Sequence, residues 1–402
     1  MTLLSDRLKN VKPSPTLAIT AKAKALRAQG RDVIGLGSGE PDFDTPKHIK
    51  KAAIEALKEG FTKYTPVDGI PELKAAIIRK YHGECGLAYE PGQVVATVGG
   101  KQAFFNLALA LVNPGDEVII PAPYWVSYPD MTHIAEGKPV ILPTQEKNGF
   151  KMTPEELEAA ITPRTKLVVI NSPSNPTGAT YHREELEGIG QVLLRHPHVW
   201  AVTDDIYDKI VFDGLPFVNL VQAVPELQER TIILNGVSKS YSMTGWRIGF
   251  AVGPQPVIKA MTKIQSQSTS CATSFAQRGA ATALSGSQKC IKPMLKAFHQ
   301  RRTFVVKALN DMPGVSCLAP EGSFYAYPNI AGLIGTKADG QTIESSLDLA
   351  AYLLDHYDVA IVPGVAFGLD PYFRLSFATS MEDLEEAMTR IHRAAKRLLA
   401  GG

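Results

Sequence analysis

The sequence predicts an α/β protein, with a large, mostly parallel sheet covered by helices on both faces and a smaller α+β domain beside it. Three observations carry this. The chain has 402 residues of ordinary globular composition, 45% apolar and 20% charged, enough to bury a full core without disulfide or metal staples. From about residue 48 to 320, apolar runs of strand length alternate with stretches of helical periodicity, the pattern of a parallel sheet with helical crossovers. Toward the end of the chain this alternation gives way to strands and helices of another order.

The elements follow in sequence. Pro13 and Pro15 break the first segment, so residues 1–16 read as an irregular arm. Residues 17–29 have helical periodicity and stop at Gly30; residues 33–36 form a short strand before the loop from Gly37 to Asp42. Helices are predicted over 48–59, 71–82 and 102–112, then a strand at 117–120, a helix at 125–136 and a strand at 139–142. Thr153, with Glu156 three residues on, caps a helix over 154–161. A strand at 166–170, a helix at 183–195, strands at 199–203, 231–234 and 246–252, and a helix at 256–265 complete the run. The tail reads as strands at 323–327, 359–362 and 373–377 with helices at 347–356 and 381–399. The expected division is 1–47 as arm and part of the small domain, 48–294 as the large domain, and 295–402 as the rest of the small domain.

Composition narrows the function. The formal net charge is +2, which gives no electrostatic case for nucleic acid or an anionic membrane. Cys85, Cys271, Cys290 and Cys317 form no CxxC pair, so no metal site is expected and reduced thiols are. The first residues lack a long apolar segment, and no apolar run approaches a membrane span. The expectation is a cytoplasmic protein.

Open α/β sheets bind ligands at the carboxyl ends of their strands, and four polar clusters sit there. Lys239 follows an apolar strand within Asn235-Gly236-Val237-Ser238-Lys239-Ser240. Partial desolvation there lowers an amine's pKa and frees it as a nucleophile; the ordinary alternative is a solvated surface lysine. Asp204 ends another apolar run, followed by Asp205 and Tyr207; it suits a metal, a ribose, a protonated ring nitrogen or simply a helix cap. Asn171-Ser172-Pro173-Ser174-Asn175-Pro176 makes a rigid turn that can fix Asn175 as a donor, or is an ordinary loop. Gly99, Gly100 and Lys101 open an apolar helix, a backbone cradle for an anion, without the GxxxxGK[ST] spacing of a nucleotide loop. Each signal is weak alone. Together with Trp125 they supply an anion cradle, an amine, an acid and ring-facing groups, the set that pyridoxal 5'-phosphate needs.

These residues carry a resemblance. The stretch Ser238-Lys239-Ser240-Tyr241-Ser242-Met243-Thr244-Gly245-Trp246-Arg247-Ile248-Gly249, with the blocks Gly39-Glu40-Pro41-Asp42-Phe43, Lys63-Tyr64-Thr65-Pro66 and Phe373-Arg374-Leu375-Ser376, resembles the class I aminotransferases. These are fold-type I pyridoxal-phosphate enzymes. The chain is most similar to the subgroup of bacterial aspartate and prephenate aminotransferases, over nearly its whole length. The resemblance implies that Lys239 bonds to the cofactor's aldehyde and that Asp204 pairs with its ring nitrogen. It implies that Asn175 and Tyr207 donate to its phenolic oxygen, and that Trp125 stacks on its ring. Gly100, Lys101, Ser238 and Arg247 match cofactor-binding positions at its phosphate end, and Tyr64 matches a tyrosine that reaches the phosphate in a neighbouring subunit. Arg374 matches the arginine for the substrate α-carboxylate, and Gly39 a backbone contact at the same end.

The implied activity is transamination between L-aspartate and 2-oxoglutarate, ping-pong through the pyridoxamine form, in a homodimer with shared active sites. Some aspartate aminotransferases bind the distal carboxylate with a partner arginine, but residues 266–270 hold none. In the similar subgroup a lysine takes over, which here is Lys101; Lys12 and Thr16 match further positions linked to acidic substrates or prephenate. Prephenate, aromatic amino acids and C–S elimination are the alternative chemistries. Two departures stand out: Ser240 and Ser242 replace common alanines, and Arg278 stands where a bulky apolar residue is usual.

Overall fold

The computed structural model describes residues 5–11 and 15–401, leaving aside the side chains of residues 6, 15–17 and 20. Lys12 therefore lies outside the described residues, and of Thr16 only the backbone is given. The helices are Pro15–Ala28 (α1), Lys47–Lys58 (α2), Pro71–Cys85 (α3), Gly100–Leu111 (α4), Ser127–Ile134 (α5), Pro154–Ala160 (α6), Arg183–Arg195 (α7), Leu220–Ala223 (α8), Gln255–Ser266 (α9), Ser274–Ser285 (α10), Ile291–Asn310 (α11), Ser346–Tyr357 (α12) and Met381–Leu399 (α13). The first corrects only the end of the expected irregular arm: proline is tolerated in a helix's first turn, so Pro15 opens α1 and Thr16 lies within it.

Seven strands form the main sheet: Val94–Thr97, Glu117–Ala122, Lys138–Pro143, Thr165–Asn171, Trp200–Asp204, Thr231–Gly236 and Gly249–Val252. Preceded by the short β1 (Ile34–Gly35), they are β2 to β8, in spatial order β2-β8-β7-β6-β5-β3-β4. All pairs are parallel except those of β8, which runs against both neighbours. The sheet is thus mixed and mostly parallel, as expected. Alternate residues of β5 feed opposite cores. Leu167 and Val169 pack with α4 and α9, while Val168 and Ile170 pack with α6 and α7, the period of two that a doubly covered strand requires.

The helix caps obey local chemistry. Thr153 accepts from the Glu156 N–H at 3.2 Å and Glu156 returns a bond to the Thr153 N–H at 2.9 Å, closing the predicted capping box of α6. The sequence reading passed over β2, α10 and α11. Helix α10 packs against α2 and α3; its buried Ala276, Gly279, Ala280 and Ala283 are small residues that permit close approach but give little apolar periodicity.

Beyond α11 come β9 (Tyr325–Ala326), the hairpin β10 (Lys337–Ala338) and β11 (Gln341–Thr342), β12 (Val359–Ala360), β13 (Val362–Pro363) and β14 (Phe373–Ser376). The single strand expected at 359–362 is two. Val359–Ala360 pairs with β1, whereas Val362–Pro363 pairs with β14, which also pairs with β9. The strand expected from residue 246 starts only at Gly249, after a helical turn at Thr244–Trp246 and a left-handed Arg247, φ 55°. No helix among the described residues is long and apolar enough to cross a membrane.

Candidate active site

Strand register gathers the site. Asn171 pairs with Asp204, Gly236 with Gly249 and Thr97 with Gly249, so β2, β5, β6 and β7 end, and β8 begins, along one edge. The loops just past these ends carry Asn175, Tyr207, Ser238 and Lys239. With Gly39, Gly100, Lys101, Trp125, Asp204, Arg247 and Arg374 they line one cavity of about 420 Å³. The edge is where the argument from parallel sheets places a ligand.

The amine of Lys239 points to the carbonyl of Gly39. Burial pulls its pKa down to about 8, helped by Arg374 and Arg247 and opposed by Glu40 and Asp204. It is therefore poised between ammonium and free amine near neutral pH. Asp204 Oδ2 accepts a 2.6 Å hydrogen bond from the hydroxyl of Tyr128. Burial raises the Asp204 pKa against that bond and against the charge of Lys239, and among the described residues no cation forms a salt bridge with it. A shielded carboxylate without a salt-bridge partner suits a ligand that brings a proton on nitrogen.

The opposite end is built for an anion. Gly99 has φ +80°, and a Cβ there would lie 2.2 Å from Arg247 Nη2. Glycine is required by this conformation, and a side chain there would push the tip of Arg247 aside. A Cβ on Gly249 would meet the Gly100 nitrogen at 2.4 Å, so β8 presses against the start of α4, whose free N–H groups and dipole favour negative charge. Lys101 stands beside this end with its ammonium 5.2 Å from the Trp125 ring; desolvation and Arg247 lower its pKa. Trp125 is held edge-on by Tyr128, centroids 5.1 Å apart.

Arg374 is buried on β14. It donates to Asn175 Oδ1 at 2.8 Å and to the Gly37 carbonyl at 2.7 Å, while its Nε has no partner. No carboxylate pairs with it among the described residues. A buried guanidinium that lines the cavity and has no carboxylate partner suits an incoming carboxylate. Asn175 is fixed in turn, its N–H on Asn171 Oδ1 at 2.8 Å. These acceptor and donor sets fit an aromatic aldehyde with an anionic tail and a basic ring nitrogen, together with a carboxylate-bearing substrate.

Tyr64 is not brought in; it is 91% exposed and lines no part of the cavity. Arg278 lies outside it as well, paired with Glu72 at 3.0 Å and stacked 4.8 Å from the Phe61 ring. Ser240 is buried with its hydroxyl unpaired, and Ser242 bonds to the sulfur of Met294. Sequence reasoning missed Tyr128, Glu40, Thr244 and Tyr325. Glu40 and Thr244 stood inside the quoted motifs, and the 2.6 Å bond between them explains why; Tyr128 and Tyr325 gave no signal apart from ordinary core aromatics.

Comparison with known proteins follows the same line. Residues 31–391 match the family model for class I and II aminotransferases. The chain is 54% identical to the aspartate/prephenate aminotransferase of Nitrosomonas europaea over 96% of this chain and 98% of that one. It is 56% identical to that of Cereibacter sphaeroides over 97% and 98%. Among solved structures, the aspartate aminotransferase of Rhizobium meliloti superposes with a TM-score of 0.96 at 50% identity, covering 99% of this chain and all 100% of that one. The Thermus thermophilus aspartate aminotransferase with maleate gives 0.92 at 42%, covering 98% and 100%. The fold expected from the sequence is thus that of the fold-type I neighbours, and this chain belongs to the class I and II aminotransferases.

Proposed function

We propose that the protein transfers the amino group of L-aspartate to 2-oxoglutarate, giving oxaloacetate and L-glutamate, with pyridoxal 5'-phosphate as cofactor. The carrying observation is the cavity that joins a half-buried amine, Lys239, whose pKa is pulled down to about 8, to a buried arginine that pairs with no carboxylate among the described residues, Arg374. When bound, the cofactor supplies an aldehyde to take the amino group and a ring to accept the electrons of the broken Cα–H bond. Asp204 would hold its ring nitrogen protonated, Asn175 and Tyr207 would donate to its phenolic oxygen, Trp125 would cover its ring, and Gly100, Ser238 and Arg247 would hold its phosphate. Arg374 and the Gly39 backbone would orient the substrate α-carboxylate, placing the Cα hydrogen within reach of Lys239 Nζ. That amine takes the proton as base and returns it as acid.

Lys101, Lys12 and Thr16 are the proposed contacts for the distal carboxylate. A second acceptor, prephenate, is favoured by the relatives named aspartate/prephenate aminotransferase. The exposed Tyr64 supports a homodimer in which this ring reaches the neighbouring site, and we assign residues 48–294 to the large domain and 1–47 with 295–402 to the small one.

The test mixes cofactor-loaded enzyme with L-aspartate, without keto acid, and follows absorbance. Conversion to the pyridoxamine form with stoichiometric oxaloacetate supports the reading; 2-oxoglutarate and prephenate are then offered in turn. No conversion by loaded enzyme removes aspartate as donor, and pyruvate with ammonia among the products makes the enzyme a lyase.

A further inference from the structure

Tyr325, on β9, lies where the two halves of the cavity meet. It is 1% exposed. Its hydroxyl oxygen is 2.9 Å from that of Tyr207, and no other hydrogen-bond partner for it is found among the described residues. Its ring lies under Arg374, whose guanidinium carbon is 4.5 Å from the centroid, with Phe367 also at 5.0 Å. Its hydroxyl also abuts Gly39, where a Cβ would come within 2.9 Å of it; the carbonyl of that glycine receives Lys239. One side chain therefore touches groups at both ends of the proposed reaction.

We propose that Tyr325 is a positioning residue with two separable parts: its ring seats Arg374 for the substrate carboxylate, and its hydroxyl donates to Tyr207. This rests on the aminotransferase reading above. The argument for the second part is a count of protons. A phenol has one to give. When Tyr207 spends its proton on the phenolic oxygen of the cofactor, the 2.9 Å contact between the two tyrosines must be filled by the proton of Tyr325. A hydrogen bond received strengthens the one given, because each polarises the next. Burial keeps both phenols above their ordinary pKa, Tyr207 well above, so both retain their protons across the neutral range. The first part follows from electrostatics: the face of an aromatic ring attracts a cation, more strongly where water is excluded.

The experiment compares wild type, Tyr325→Phe and Tyr325→Leu, each loaded with pyridoxal 5'-phosphate. The pH midpoint of the cofactor absorbance is measured first, then the affinity for maleate as an unreactive dicarboxylate. Glu40, Lys101, Asp204, Lys239, Arg247 and Arg374 are the charged groups lining the cavity, and neither substitution removes one. Donation to the phenolic oxygen stabilises its deprotonated form, so losing the hydroxyl of Tyr325 raises the midpoint. The expected rise in Tyr325→Phe is about 0.1 to 0.6 pH unit, the roughly 10–30% by which a received hydrogen bond strengthens one made to a charged oxygen, with maleate affinity within about twofold of wild type because the ring remains. Tyr325→Leu also weakens maleate binding, by about 3- to 30-fold. An unmoved midpoint in Tyr325→Phe overturns the role of the hydroxyl, and that isosteric variant decides the point even where the leucine variant loads poorly. Undiminished maleate affinity in Tyr325→Leu overturns the role of the ring. A wild type that takes up no cofactor removes the aminotransferase reading itself, and this proposal with it.

Discussion

Lys80→Met should destabilise the protein more than any surface substitution. Lys80, on α3, is buried with its ammonium 2.5 Å from Asp208 Oδ2 and 2.6 Å from Glu84 Oε2. Its side chain is 5% exposed and that of Asp208 7%. Burial pulls the ammonium's pKa down, but the two carboxylates outweigh this and hold it above its ordinary value. At an effective dielectric of about 20, the Lys80–Asp208 attraction is about 7 kcal/mol, most of it offset by desolvation. Methionine keeps the aliphatic stem and deletes the charge. Glu84 still has Lys209, at 2.5 Å. Asp208 keeps only the side-chain donor of Asn235, at 3.0 Å. An uncompensated buried carboxylate costs about 3–5 kcal/mol. The assay is urea unfolding followed by circular dichroism, with Lys80→Met/Asp208→Leu as the control. The double variant should recover most of the loss, since it leaves no orphan charge. A loss below about 1 kcal/mol in the single variant, or a double variant no more stable than the single one, would refute the reasoning.

Three further outcomes are expected. Gly99→Ala forces an L-residue to φ +80°, about 1–3 kcal/mol of strain on the fold, and pushes aside the tip of Arg247; displacing that cation should weaken cofactor binding by about tenfold or more, read by absorbance titration of the apoenzyme. Lys101→Ala should raise KM for aspartate far more than for aromatic donors; equal changes in both would remove Lys101 from distal-carboxylate recognition. Capture of the cofactor by apoenzyme requires a neutral amine, and the Lys239 amine titrates at about 8. Its rate, followed by rapid mixing, should therefore rise with pH through that value and then level off, and a flat profile would contradict it.

Legibility from the sequence follows the length scale of the forces. Bounds set by neighbours along the chain were readable. Helices Arg183–Arg195 and Met381–Leu399 begin and end where their periodicity does, and the Thr153 cap lies within one turn of the helix it starts. Features set by distant partners were not. Residues 359–362 divide between two sheets because β1 claims one end and β14 the other. Helix α10 is hidden by its small residues, which matter only once α2 lies against them. The site shows the same split. Lys239 and Asp204 could be suspected from their places after apolar strands, and Gly99 from its place at the head of an apolar helix. Tyr128 and Tyr325 could not, because each acts through a residue far away in sequence, Asp204 and Tyr207.

Charge ties the site to the composition. The whole chain is nearly neutral at +2, which argues against a polyanionic partner. The cavity is not balanced in the same way: its lining holds Lys101, Lys239, Arg247 and Arg374 against Glu40 and Asp204. Burial is what brings the Lys239 amine near 8; Arg374 and Arg247 add repulsion, and Glu40 and Asp204 oppose it. Burial, with Arg247, lowers the pKa of Lys101 by the same means. Anions arriving at Arg247 and Arg374 would remove the repulsion, so the amine titrates differently with the two ends filled than with them empty. A phosphate at one end and a dicarboxylate at the other are the charges this lining lacks, and Lys239, standing between those ends, is the group whose proton affinity responds to both.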